Sequence, residues 1–217
     1  MAAGATHHGP AALPAPDDST IAKAVRRLDR TLPAHDVQVG SGLEDASIVI
    51  AFRDWGSGYT GPCGLWLTDR RRIGHVETNT HDRWRPGVLA DDEGAVLAQV
   101  TRPKLASSRR SCDDLAMVNE DLRELATFNY RWIRITGQAE TWSWRGRHWW
   151  IDELGLFDGD RLLADGRATE GSAWWSPLPS AELTTAIWLH PELDLDQRAV
   201  VVLAVLRRLG PPRAPPD

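Results

Sequence analysis

Two hydrophobic periods alternate along the chain. Ile21, Val25, Leu28 and Leu32 recur at helical spacing, with Asp18 and Ser19 placed to cap the segment and Pro33 to end it. From Asp45 the period becomes two, first in Ile48, Ile50 and Phe52. Short apolar stretches then recur between turn residues: Leu65–Leu67, Ile73–Val76, Val88–Leu89, Ala95–Val100, Tyr130–Ile135, Glu140–Trp144, His148–Ile151, Leu154–Phe157, Leu162–Ala164 and Ala186–Leu189. Many short strands at this spacing predict a barrel or sandwich. Three segments, GLWLTDRRRIGHV, GVLADDEGAVLAQV and LGLFDGDRLLADG, share one grammar around Asp69, Asp92 and Asp158 and read as related hairpins.

Two stretches break the β pattern. In SCDDLAMVNEDLRELATFN, Leu115, Val118, Leu122 and Leu125 form a stripe that predicts a surface helix over 111–127, with Ser111 and Asp114 as a variant capping box. In DLDQRAVVVLAVLRRLGPP, acids precede and arginines follow an apolar run, and Gly210 with two prolines closes it. Helix wins there over the strand that four valines suggest. Apolar on every side from Ala199 to Leu206, it must be buried all round.

Composition adds three constraints. The 217 residues carry a net charge of −5, yet residues 70–110 hold nine basic and five acidic groups. An acidic chain is not expected to bind nucleic acid. Cys63 and Cys112 are too few for a disulfide framework and read as thiols in a reducing compartment. The opening MAAGATHHGPAALPAP lacks the features of a secretory signal, and no apolar run approaches bilayer-spanning length, so a cytoplasmic location is expected. Tryptophan is the compositional outlier, with 11 residues against 3 Phe and 2 Tyr.

The segment RWIRITGQAETWSWRGRHWWIDELGLFDGDRLLADGRA, followed by TTAIWLHPELDLDQRAVVVLAVLRRLG, resembles the tubby C-terminal-like superfamily. Within it, the chain resembles the LURP-one-related and phospholipid-scramblase-like proteins. The resemblance implies a mainly β (α+β) fold: a closed antiparallel barrel around a buried apolar C-terminal helix, here with two surface helices. The expected organisation is a disordered leader over 1–17, a helix and linker over 18–44, the barrel domain over 45–210 with its helical insertion at 111–127, and a tail over 211–217.

Chemistry-bearing patterns are few. GSGYTG, Gly56–Gly61, fits a dinucleotide fingerprint, but a second strand rather than a helix follows, so it reads as a hairpin loop. His75, Glu77 and His81 fall on a strand and past a turn and read as surface residues. Asp152 and Glu153 are adjacent and face opposite sides of a strand, which prevents them from flanking one glycosidic bond. No catalytic residue, metal or cofactor is therefore assigned. The leading expectation is a non-enzymatic binding protein that meets an anionic lipid head group, or a membrane surface peripherally, through Arg70, Arg71, Arg72, Arg83 and Arg85. The resemblance supports this, since a basic face in tubby-like folds meets phosphoinositides. Two alternatives stand beside it. One is a carbohydrate-binding or carbohydrate-processing domain using an aromatic patch of Trp142, Trp144, Trp149 and Trp174, and the other is a protein-interaction module using the 111–127 helix.

Overall fold

The computed structural model describes residues 13, 15–28, 40–53, 63–79, 82–101, 115–129, 132–136, 149–152, 155–158, 160–168 and 183–208. Within them the order is α1 (Asp18–Leu28), β1 (Ile48–Arg53), β2 (Cys63–Trp66), β3 (Arg72–Asn79), β4 (Asp82–Asp91), β5 (Val96–Thr101), β6 (Leu115–Val118), β7 (Glu124–Asn129), β8 (Trp132–Ile135), β9 (Trp149–Asp152), β10 (Gly155–Asp158), β11 (Arg161–Ala168), β12 (Leu183–Leu189) and α2 (Leu195–Arg208). All strand pairs are antiparallel. They follow the ring β1–β12–β11–β10–β9–β8–β7–β6–β5–β4–β3–β2, and β2 returns to β1, so the sheet is a closed barrel. Among the described residues its thinnest seam is β8–β9, with the register Trp132↔Trp150 and Ile133↔Trp149.

Alternation along each strand separates two apolar layers. On β1 and β12, Val49, Ala51, Ile187 and Leu189 face the interior, while Ile48, Ile50, Phe52, Ala186 and Trp188 face out. The interior is occupied by α2, which touches β4, β5, β7, β11 and β12. None of Ala199–Leu206 exceeds 4% exposure. Burying its six larger side chains contributes about 1.5–3 kcal/mol each, as an upper estimate. A reciprocal capping box starts the helix: the Gln197 amide donates to Asp194 Oδ1 at 2.8 Å and the Asp194 amide to Gln197 Oε1 at 3.1 Å.

The outer layer is covered by α1. Ile21, Ala24 and Leu28 pack on Ile48, Ile50, Phe52, Trp66, Ala186 and Trp188. Its cap is Asp17 rather than Asp18 or Ser19, because the Thr20 amide donates to Asp17 Oδ1 at 2.7 Å. Leu13, within the segment expected as a disordered leader, also packs against this layer.

The expected fold class is corrected on its helices. Within the expected 111–127 helix, the described residues 115–127 are not helical; Leu115–Val118 and Glu124–Asn129 are strands β6 and β7 of one hairpin. Met117 opposite Ala126 and Leu115 opposite Phe128 supply a period-two inner face. Leu122, the centre of the expected helical stripe, is 65% exposed on the turn. The proposed interaction helix therefore does not exist, and one helix, α1, lies on the outer surface of the described residues.

Three hairpins share one turn. Leu67, Asp91 and Asn119 each donate an amide to the carbonyl four residues on, of Arg71, Ala95 and Arg123, at 2.8, 3.0 and 3.1 Å. The residue before each closing partner has a left-handed backbone: Arg70 at φ 69°, Gly94 at φ 91° and Leu122 at φ 61°. A bulge accompanies each turn, between Leu65 and Trp66, Leu89 and Ala90, and Met117 and Val118. Strand alternation gathers these turns, the 40–47 loop and the β12–α2 link at one end of the barrel.

Candidate functional site

The β2–β3 turn carries Arg70, Arg71 and Arg72, and folding commits them unequally. Arg71 is drawn into the closure of the barrel end, where its Nη2 donates to the Gly40 carbonyl at 2.5 Å while its amide bonds Asp69 Oδ1 at 3.0 Å. Arg72 begins β3 and its Nε pairs with Asp92 of the neighbouring β4–β5 turn. Arg70 is the least bound. Its Nη1 lies 3.7 Å from Asp18 Oδ1 on the first turn of α1, with half of its side chain (49%) and most of that of Asp18 (86%) exposed. Each of the three guanidinium groups thus has a carboxylate within ion-pair reach, and the turn's positive charge is locally matched.

Arg83 and Arg85 do not join this cluster. They lie on β4 near Asp82, where β4 leaves the β3–β4 turn, so the eight-residue β3 separates them from Arg72. At about 3.3 Å per residue, that is roughly 20 Å. The five arginines expected at one site occupy opposite ends of the barrel; the side chains of Arg83 and Arg85 lie outside the described residues.

The aromatic patch is also divided. Trp149 is 5% exposed and packs in the interior cluster with α2, so it is a core residue rather than a surface platform. Trp142, Trp144 and Trp174 lie outside the described residues. Trp66 and Trp188, which the pattern did not single out, are both buried beneath α1. Trp66 folds back over Gly64: a Cβ there would stand 2.6 Å from the indole Nε1, so only glycine permits this packing.

His75 and Glu77 share the outer face of β3, with Nε2 and Oε1 3.3 Å apart, while Cys63 faces the interior as a buried thiol. The GSGYTG loop, His81, Cys112 and Glu153 lie outside the described residues, as does the side chain of Asp152.

The residue that sequence reading missed is Arg198, fully enclosed in the first turns of α2 at 2% exposure. It donates to five backbone carbonyls: Leu193 at 2.7 Å, Ala46 at 2.6 Å, Pro191 at 3.2 Å, and Leu43 and His190 at 3.4 Å. Burial pulls its pKa below the usual arginine value, against the opposing field of Asp45, Glu44 and Asp194. Asp45 in turn organises the loop by accepting the Ser41 and Gly42 amides at 2.6 and 3.0 Å, and the Gly42 bond chiefly holds its carboxyl below the ordinary range. Arg71 and Arg198 therefore clasp the same 40–47 loop from two sides. The only sequence signal was an arginine directly before an apolar run.

A second polar cluster sits beside the β12–α2 link. Arg161 Nη2 lies 3.1 Å from His190 Nδ1 and pairs with Glu192, whose carboxyl Arg161 holds below its ordinary pKa. Under α1, Asp165 is 2% exposed and accepts Arg167 Nη2 at 3.1 Å.

Among the described residues, no helix is long and apolar enough to cross a membrane. No family model matches the chain, and no curated protein matches it. Among solved structures, the X-ray structure of a protein from Arabidopsis thaliana is similar over 78% of this chain and 96% of that one, at 13% identity and a TM-score of 0.43. So distant a likeness adds nothing to the functional reading.

Proposed function

We propose that this protein is a non-enzymatic binding domain that meets anionic head groups at the β2–β3 turn, with Arg70 as the principal contact. The observation that supports this reading is the loose, half-exposed Arg70–Asp18 pair at 3.7 Å. Exposed ion pairs contribute only about 0–1 kcal/mol, so a multivalent anion can displace Asp18 at little cost. A guanidinium offers such an anion two parallel charge-assisted hydrogen bonds. Arg71 and Arg72 stand beside it, already oriented by Gly40 and Asp92. Among the described residues, α2 and the inward side chains form one continuous apolar cluster.

The test is co-sedimentation with phosphatidylserine-containing and with pure phosphatidylcholine vesicles. Arg70→Asn removes the charge and suits the left-handed backbone, which asparagine tolerates better than arginine. The variant should lose about fivefold in affinity for anionic vesicles, with a melting temperature equal to or above that of the wild type. Wild-type affinity in a folded Arg70→Asn variant would contradict the assignment.

A further inference from the structure

The link between β12 and α2 is fastened by a histidine ring whose neighbours are donors. The Glu192 amide donates to His190 Nδ1 at 3.2 Å. Arg161 Nη2 lies 3.1 Å from the same nitrogen and 3.3 Å from Nε2. An amide and a guanidinium bring only donors, so Nδ1 meets them with its lone pair and the ring hydrogen sits on Nε2. A second proton would have to enter at Nδ1, against the amide hydrogen and a cation. The backbone of the same link holds α2: the His190 and Pro191 carbonyls accept Arg198 Nη2 at 3.4 and 3.2 Å, while Nη1 bonds the Ala46 and Leu43 carbonyls. One guanidinium thus fastens both the link and the 40–47 loop.

The other charges on the elements packed around the ring have their own tasks. Glu192 attracts a protonated ring, but its carboxylate is bound to Arg161, which keeps it ionised in mild acid. On β11, Asp165 is paired with Arg167, and Asp158 stands opposite Arg161 in the β10–β11 register, with Asp160 in the turn between them. Asp194 caps α2 by accepting the Gln197 amide, and Glu44 and Asp45 act on Arg198. On α1, Asp17 accepts the Thr20 amide and Asp18 turns to Arg70.

We infer that His190 is a pH-operated latch: protonation in mild acid drives the ring from the Glu192 amide and Arg161, opens the β12–α2 link and loosens the hold of Arg198 on the 40–47 loop. The inference does not depend on the reading of the arginine turn. The closed link binds a proton at His190 more weakly than the opened link does. Its contribution is therefore complete above about pH 6.5, where a free histidine is neutral, and fades as the pH falls below that.

The experiment is amide hydrogen exchange at about pH 7.5 and about pH 5.5, expressed as protection factors so that the intrinsic pH dependence of exchange is removed. The buried Leu193 amide, bonded to the His190 carbonyl at 3.2 Å, reports the link. The buried Ala46 amide, bonded to the Gly42 carbonyl at 3.1 Å, reports the loop, and the amides of β5 serve as reference. In the wild type, protection at Leu193 and Ala46 should fall about fivefold or more in acid while that of β5 holds. In His190→Asn, the asparagine oxygen takes the place of Nδ1 as acceptor and does not titrate, so both probes should keep their protection. An equal fall in a folded His190→Asn variant, or no fall in the wild type, would overturn the latch. Should His190→Asn not fold, Arg161→Gln carries the test. It removes the cation that faces the protonated ring, so the fall should shrink, and a fall of wild-type size would overturn the latch as well.

Discussion

Leu122 sits in a left-handed backbone at φ 61° with its side chain 65% exposed, so it accepts conformational strain without burying apolar surface in return. Gly94 fills the equivalent slot of the β4–β5 turn at no steric cost. Leu122→Gly should therefore stabilise the protein by about 0.5–1 kcal/mol, the strain relieved exceeding the added backbone entropy of the unfolded chain. Thermal unfolding should show a rise of about 1–4 °C; a fall would mean that Leu122 makes a contact its exposure conceals. The same residue explains why this hairpin was not legible in the sequence. With glycine at position 122 the turn grammar of the other hairpins would have been plain. With leucine there, spaced three and four residues from Leu125 and Val118, the segment imitates a helical stripe. One signal remained: Asn119 Oδ1 accepts the Arg123 amide at 2.9 Å, as Asp91 Oδ1 accepts that of Ala95 at 2.8 Å.

Among the elements, helix α2 was legible because its flanks and its uniform apolarity agree, and α1 because its stripe is regular. Apart from β6 and β7, strand positions were legible where one side faces α2 and the other faces solvent or α1. What holds α2 in place was not legible, because Arg198 bonds carbonyls that any sequence would supply. Its partners belong to the 40–47 loop, the β12–α2 link and the residue preceding Asp194 at the helix start. Arg198→Met keeps much of the volume and strands those buried carbonyls, each of which costs about 1–3 kcal/mol when left unpaired. The variant should lose at least about 3 kcal/mol in urea unfolding. A loss under about 1 kcal/mol would show that water replaces the guanidinium and that the clasp is dispensable. The same geometry explains Arg71: as the second fastening of this loop it is a structural residue first, which is why Arg70 carries the binding test instead.

For the whole molecule, the ring order of strands decides which charged residues meet. Sequence proximity placed Arg83 and Arg85 with the arginine turn, but a hairpin sends residues ten positions apart to opposite ends of its strands. It placed Asp18 nowhere near Arg70, although the packing of α1 against the outer layer brings the two within 3.7 Å. Trp149 was legible as a large apolar group and not as core, because alternation alone does not tell which of the adjacent Trp149 and Trp150 faces the interior. The account that results is electrostatic. On the proposed reading, a small set of exposed cations on a chain of net charge −5 is what would attract an anionic surface that the rest of the molecule repels. Such attraction decays within a Debye length, about 10 Å at 0.1 M salt and about 3 Å at 1 M. The most direct measurement is therefore the binding of the wild-type protein to phosphatidylserine-containing vesicles as salt is raised from 0.05 to about 0.5 M. The account predicts measurable binding at the low end, a steep fall across the range and none to phosphatidylcholine vesicles at any salt; binding that is indifferent to salt, or equal on the neutral vesicles, would contradict it.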